Sequence, residues 1–152
     1  MNRRPMRMQR GFSMIEVLVT LVILAFGLLG FALLQTMNLR YTQSANHRTQ
    51  ATNLAYDLLD QMRANRLSAA KYTDASFEED EVNGSNCSRP VGELPIPVSS
   101  VVTRWQCQVV EALGDDATAT VTYADGLATV TLTWGDRISI EAPTSFVVET
   151  RL

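Results

Sequence analysis

Residues 10–35 read RGFSMIEVLVTLVILAFGLLGFALLQ, and between Val17 and Leu34 the only polar side chain is Thr20. At ~1.5 Å per residue that run spans roughly 27 Å as a helix, close to the ~30 Å hydrocarbon core of a bilayer. A helix that is apolar on every side must be buried on every side. A chain of 152 residues has material for one modest core and no more. The run therefore reads as a membrane span. One acid, Glu16, stands at its start, and four arginines, Arg3, Arg4, Arg7 and Arg10, lie upstream.

Charge divides the chain at the same place. The first 11 residues carry +4 and no acid, and the remaining 9 basic and 16 acidic residues leave the rest at −7. A basic flank ahead of an apolar span stays cytoplasmic. The remainder is then expected on the far side, which in a bacterium is the periplasm. A domain at −7 without a basic stripe argues against a nucleic-acid partner. Cys87 and Cys107 are the two cysteines. An even pair in an exported domain suggests a disulfide, the alternative being two buried free thiols.

An ordinary secretory signal would end in a small-x-small cleavage site, and GFALLQT at 30–36 offers only a poor one. The helical pattern also continues past it. For a plain membrane anchor, Glu16 poses a problem. An ionisable group inside a span costs up to ~2.5–3.5 kcal/mol at the bilayer centre and is by default a functional residue in need of a partner. Alternatively it rests at headgroup level, favoured by the helix macrodipole. The residues by themselves leave both readings open.

RGFSMIEVLVTLVILAFGLLG resembles the N-terminus of a type IV prepilin. In that family a basic leader ends in glycine, and a dedicated prepilin peptidase cuts after it and methylates the new N-terminal residue. The fifth residue after the cut is a glutamate. The resemblance implies cleavage between Gly11 and Phe12, N-methylation of Phe12, and an assembly role for Glu16 through the amine of a neighbouring subunit. In low dielectric such a pair is worth far more than at a surface, and leaving either member alone is costly. Gly27 and Gly30, with Ala25 and Ala32 nearby, are small residues of the kind that permit close helix approach in membranes. Major pilins usually carry a proline at about this depth, whereas this chain has Leu33 and no proline there.

After Leu34 the pattern turns amphipathic, with no proline or glycine through Tyr72. Leu54, Leu58 and Met62 recur every four residues, Leu59 widens the stripe, and Asp57, Asp60 and Arg63 lie off it. One helix is expected from about Ser13 to about Asn65. His47, the only histidine, reads as solvent-facing and receives no role. From Thr73 to Ser100 periodicity is lost among acids, glycine and proline, which reads as a loop. Its acids Glu78, Glu79, Asp80 and Glu81 lack the ligand spacing of a calcium loop.

Strands are expected next. In VVTRWQCQVV, Val101, Trp105, Cys107 and Val109 alternate with Arg104, Gln106 and Gln108. Ala119, Val121 and Tyr123 alternate with threonines, ADG at 124–126 marks a hairpin, and Ala128, Val130, Leu132 and Trp134 alternate again. Ile138 and Ile140 start another strand, and Phe146 and Val148 another. The fold class is α+β: a long helix across an antiparallel meander of four to five strands with one oily face. That is also the pilin fold. The divisions are a leader at 1–11, a membrane or filament-core half-helix at 12–35, an amphipathic half-helix at 36–72, a connecting loop at 73–100 and a sheet at 101–152.

No His-x-x-x-His pair, Gly-x-Ser-x-Gly elbow, phosphate loop or Cys-x-x-Cys occurs, so neither an enzyme, a cofactor nor a metal site is expected. Asp115 and Asp116 are explained by turn chemistry. FGLLGFALLQ, NLAYDLLDQMRANRLSAAKY and VTLTWGD resemble a minor subunit of type IV pili. The resemblance implies a tip complex that primes pilus assembly and supports adhesion and twitching. Its implied partners are the prepilin peptidase, other minor pilins, the major pilin, a large tip adhesin, the inner-membrane assembly platform, and membrane lipid before assembly. A minor pseudopilin of a type II secretion system would share the leader, Glu16 and the helix. A membrane-anchored periplasmic binding module that never polymerises would need neither Glu16 nor the leader glycine.

Overall fold

The computed structural model describes residues 11–82, 87, 96–135 and 142–152. Its first element, α1, is one α-helix, Met14–Ala64. The helix starts where the Ser13 carbonyl accepts from the amides of Glu16 and Val17. It lasts because no proline interrupts it. The chain divides into two units, Met1–Leu39 and Arg40–Leu152.

Within the first unit the described residues are the chain leading into α1 and its apolar part. Each large apolar side chain there is exposed, Phe12 at 84% and Leu34 at 61%. Thr20, the one hydroxyl in the run, donates to the Val17 carbonyl at 2.8 Å. A polar group that satisfies itself in this way is tolerated in apolar surroundings.

The second unit holds the core. Ala51, Ala55, Leu58, Leu59 and Met62 are its share from α1; of the expected stripe Leu58, Leu59 and Met62 are buried, while Leu54 is only partly buried against the core. A 3-10 helix, Arg66–Ala75, follows directly and buries Ala69, Tyr72 and Ala75. Asn65 donates through Nδ2 to the Tyr72 hydroxyl at 3.1 Å, tying the two ends of this turn. His47 is half-buried rather than fully exposed, since it lies one turn ahead of Ala51 on the face that enters the core.

Residues 101–110 are not a strand. They belong to a second α-helix, α2, Val98–Leu113. The alternation of Val101, Trp105, Cys107 and Val109 holds only inside a ten-residue window. Extended to both sides, the buried positions Val102, Trp105, Val109 and Leu113 follow spacings of three and four, which is a helical face. The valines mislead because β-branching favours strands, and tertiary burial overrides that preference here. Pro97 precedes the helix and Gly114, at φ 111°, follows it.

Three strands complete the unit: β1 (Thr118–Ala124), β2 (Leu127–Trp134) and β3 (Thr144–Arg151), antiparallel in the order β1-β2-β3. The described sheet therefore has three strands where four to five were expected. One expected strand is α2, and the one placed at Ile138 and Ile140 lies outside the described residues. The ADG reading holds in detail. Ala124 pairs with Leu127, and the two residues between them, Asp125 and Gly126, have φ of 51° and 76°. Two positive φ values in a two-residue loop make a type I′ turn, whose twist matches that of the strands.

Ala119 and Val121 on β1, and Ala128, Val130, Leu132 and Trp134 on β2, are buried, and Phe146 and Val148 pack against them. The outer edge of β1 is covered by a piece of the presumed loop. Phe77 and Ala119 exchange both backbone hydrogen bonds, at 2.9 and 3.0 Å. Ser76 receives the Val121 amide on its Oγ at 2.9 Å. Two residues suffice to blunt an edge that would otherwise template pairing.

Candidate functional site

Glu16 lies in the first turn of α1 and is exposed. Backbone amides at a helix start are unsatisfied and carry partial positive charge, so this carboxylate suits its position even without a partner. Among the described residues the one ion pair joins Arg63 to Asp60, so Glu16 has no cationic partner among them. Phe12 is two residues before the helix and fully accessible, and Gly11 is exposed beside it. The bond between them is thus open to an enzyme.

Gly27 and Gly30 lie mid-helix, where a methyl group added at either position meets nothing in the chain. Their smallness serves no packing among the described residues. The helix is long and apolar enough to cross a membrane by length and composition, and none of its most apolar window is buried. Large exposed apolar patches mark protein or membrane contact. Glu16, the two glycines and the exposed run thus share one property: each presents a feature that its own chain leaves unanswered.

Cys87 and Cys107 form a disulfide, with Cα atoms 5.7 Å apart. Cys107 is on α2, so the bridge ties residue 87 to a helix and not to a strand. Closing a loop of 20 residues contributes about 3 kcal/mol in the chain-entropy model. Cys107→Ser should lower the unfolding free energy of a soluble fragment starting at Arg40 by about that amount, read from urea denaturation. Non-reducing peptide mapping should recover the linked peptides, and free thiols at both positions in periplasmically expressed protein would contradict the bridge.

The acids at 78–81 form a turn, with the Glu81 carboxylate accepting from the Glu78 amide at 3.0 Å and Asp80 at φ 62°. Two features of the second unit escaped the sequence reading. The Trp105 indole N–H donates to the Leu54 carbonyl at 2.9 Å, which locks α2 onto α1. Arg63 reaches from α1 to the Thr150 hydroxyl on β3 at 2.6 Å. Both depend on how elements cross, which local periodicity does not encode.

Residues 6–32 match the model of the prokaryotic N-terminal methylation motif, and residues 33–91 match the model described as type IV pilin Tt1218. Gly11, Phe12, Glu16, Gly27 and Gly30 fall in the first match, and the core-facing half of α1 falls in the second. A motif of this kind implies processing by a prepilin peptidase, and with the unburied apolar helix it fits membrane anchoring. No curated protein and no solved structure matches the chain.

Proposed function

We propose that the chain is a minor type IV pilin of the PilV kind, which primes pilus assembly and sits in the tip complex. The observation that carries this reading is the apolar half of α1. It follows a Gly-Phe junction and a first-turn glutamate, and its own chain buries none of it. A subunit with such a surface has two places to put it, a bilayer and a filament core.

In this reading the peptidase cuts between Gly11 and Phe12 and methylates the Phe12 amine. Before assembly the half-helix spans the inner membrane with its N-terminus cytoplasmic and the Arg40–Leu152 unit periplasmic. The four leader arginines support that orientation. On assembly Glu16 meets the amine of a neighbouring subunit, and Gly27 and Gly30 let helices approach closely. The neighbours are other minor pilins, the major pilin and a large tip adhesin, recruited at the inner-membrane platform. Adhesion and twitching then depend on the filament that this complex starts.

Deleting the gene should reduce surface pili and twitching, and the wild-type chain should restore both. The chain should also copurify with minor pilins extracted from the same membranes. Normal piliation together with a defect in protein secretion would point instead to a pseudopilus subunit. A deletion strain with normal piliation and normal secretion would contradict an assembly role.

A further inference from the structure

The apolar run of α1 ends in a graded way. After Leu34 come Gln35, Thr36, Met37, Asn38 and Leu39, a mixture of polar and apolar residues, and then Arg40 and Tyr41. All of them are exposed. From Leu34 to Arg40 the helix rises about 9 Å at 1.5 Å per residue. The headgroup layer on one side of a bilayer is roughly 5–8 Å deep, half the difference between the full thickness and the hydrocarbon core. With Leu34 at the edge of the hydrocarbon, the backbone of Arg40 stands at the outer rim of the headgroups. Side chains on a helix tilt toward its N-terminus. On α1 that is the side of the apolar run, so Arg40 and Tyr41 lean back toward the headgroup layer.

The chain supplies Arg40 with no anion. Arg40 forms no ion pair among the described residues. Residues 12–152 carry −7, yet the 40 residues from Val17 to Tyr56 contain no acid. One turn from Arg40 on either side stand Thr36, Met37, Gln43 and Ser44, the positions from which a helical partner would reach it. Thr36 is occupied with its own backbone, donating to the Ala32 carbonyl at 3.1 Å. A guanidinium at headgroup depth has a suitable partner in a lipid phosphate, which it can bind through two parallel hydrogen bonds. Tyr41 is 62% exposed, and a ring with an apolar body and a polar tip belongs in the same layer.

We propose that Arg40 binds the phosphate of a phospholipid in the periplasmic leaflet, with the Tyr41 ring at the same level, and that the pair clamps the end of the span to the membrane surface. The proposal rests on the membrane-span reading above. It adds the lipid group that is recognised and the residues that fix how deep the helix sits.

The test uses the chain as extracted from membranes into a mild non-ionic detergent, with dioleoyl phosphatidylglycerol added, and counts bound lipid by native mass spectrometry. Dioleoylglycerol, with the same acyl chains and no phosphate, is the comparison. Wild type should retain the phospholipid and shed dioleoylglycerol, and added salt should weaken the retention. Arg40→Gln should lower it about fivefold, the worth of one basic residue at a charged membrane surface. Arg40→Lys keeps the charge without the planar fork and should fall between. Arg48→Gln removes the same charge from an exposed position about 12 Å further along α1 and should leave retention unchanged. Tyr41→Ser should weaken it less than Arg40→Gln, and Tyr41→Trp should keep it. These positions are exposed, so each variant should melt with the wild type. Equal retention of the two lipids by wild type, or equal losses in Arg40→Gln and Arg48→Gln, would overturn the clamp. Wild-type retention in Tyr41→Ser would overturn the part given to the ring. Displacement of the lipid by millimolar inorganic phosphate would overturn the bilayer as the source of the anion. Release of the wild-type chain from membranes by sodium carbonate would overturn the span reading instead, a result that the lipid comparison in detergent does not share.

Discussion

Replacing Trp105 by alanine is expected to remove a large share of the stability of the Arg40–Leu152 unit. Trp105 is wholly buried and lies where α2 meets α1. Large aromatic-to-alanine changes in a core cost about 3–5 kcal/mol through lost burial and the cavity left behind. Domains of this size have only about 5–15 kcal/mol in total. The indole N–H also donates to the Leu54 carbonyl, and that bond is lost too. Trp105→Phe separates the two contributions. It keeps most of the ring's bulk and removes the donor, so its cost should be smaller, nearer the ~1 kcal/mol typical of one hydrogen bond plus a modest packing term. Urea denaturation of a fragment starting at Arg40 checks both. A Trp105→Ala protein as stable as wild type would mean that α2 does not form part of the core.

Glu16→Ala should have the opposite character, with little effect on folding and a large effect on assembly. Glu16 lies in the unit Met1–Leu39, while every buried side chain among the described residues belongs to Arg40–Leu152. Nothing in the core depends on it. In the proposed filament, its removal leaves a neighbour's amine unpaired in low dielectric, where breaking a charge pair costs about 3–5 kcal/mol. Incorporation should then fall by two orders of magnitude or more, with membrane level and melting unchanged. Glu16→Gln keeps the shape and removes the charge, so it should resemble Ala more than wild type. Sheared-filament blots and surface pilus counts in a strain lacking the chromosomal copy are the measurements. Wild-type incorporation by both variants would show a carboxylate that merely suits its helix start.

Some parts of this molecule are written locally and were legible for that reason. The four-residue stripe Leu54–Leu58–Met62 needs only helix geometry, and the type I′ turn at Asp125–Gly126 needs only residues that tolerate positive φ. The long apolar run and its basic flank state their environment through composition. The cysteine pair was legible from compartment, not from geometry, and so its attachment to α2 was not. Helix α2 was misread because Val101, Val102, Val109 and Val110 favour strands and because a ten-residue window satisfies two periods at once. Val98 and Leu113, at its ends, break the tie. The strand stub at Ser76–Phe77 sits amid acids and turn residues, with too few apolar positions to show a period. Of the candidate site, Gly11, Phe12 and Glu16 were legible because a motif is a sequence property. The hydrogen bond from Trp105 to the Leu54 carbonyl was not, because it exists only where two helices meet.

The most direct measurement is mass spectrometry of the N-terminal peptide of this chain recovered from sheared surface filaments. The expected peptide begins at N-methylated Phe12 and lacks residues 1–11. Protein that retains Met1–Gly11 in cells with an active prepilin peptidase, or a processed chain that never appears in the filaments, would contradict the claim that this is a pilin subunit.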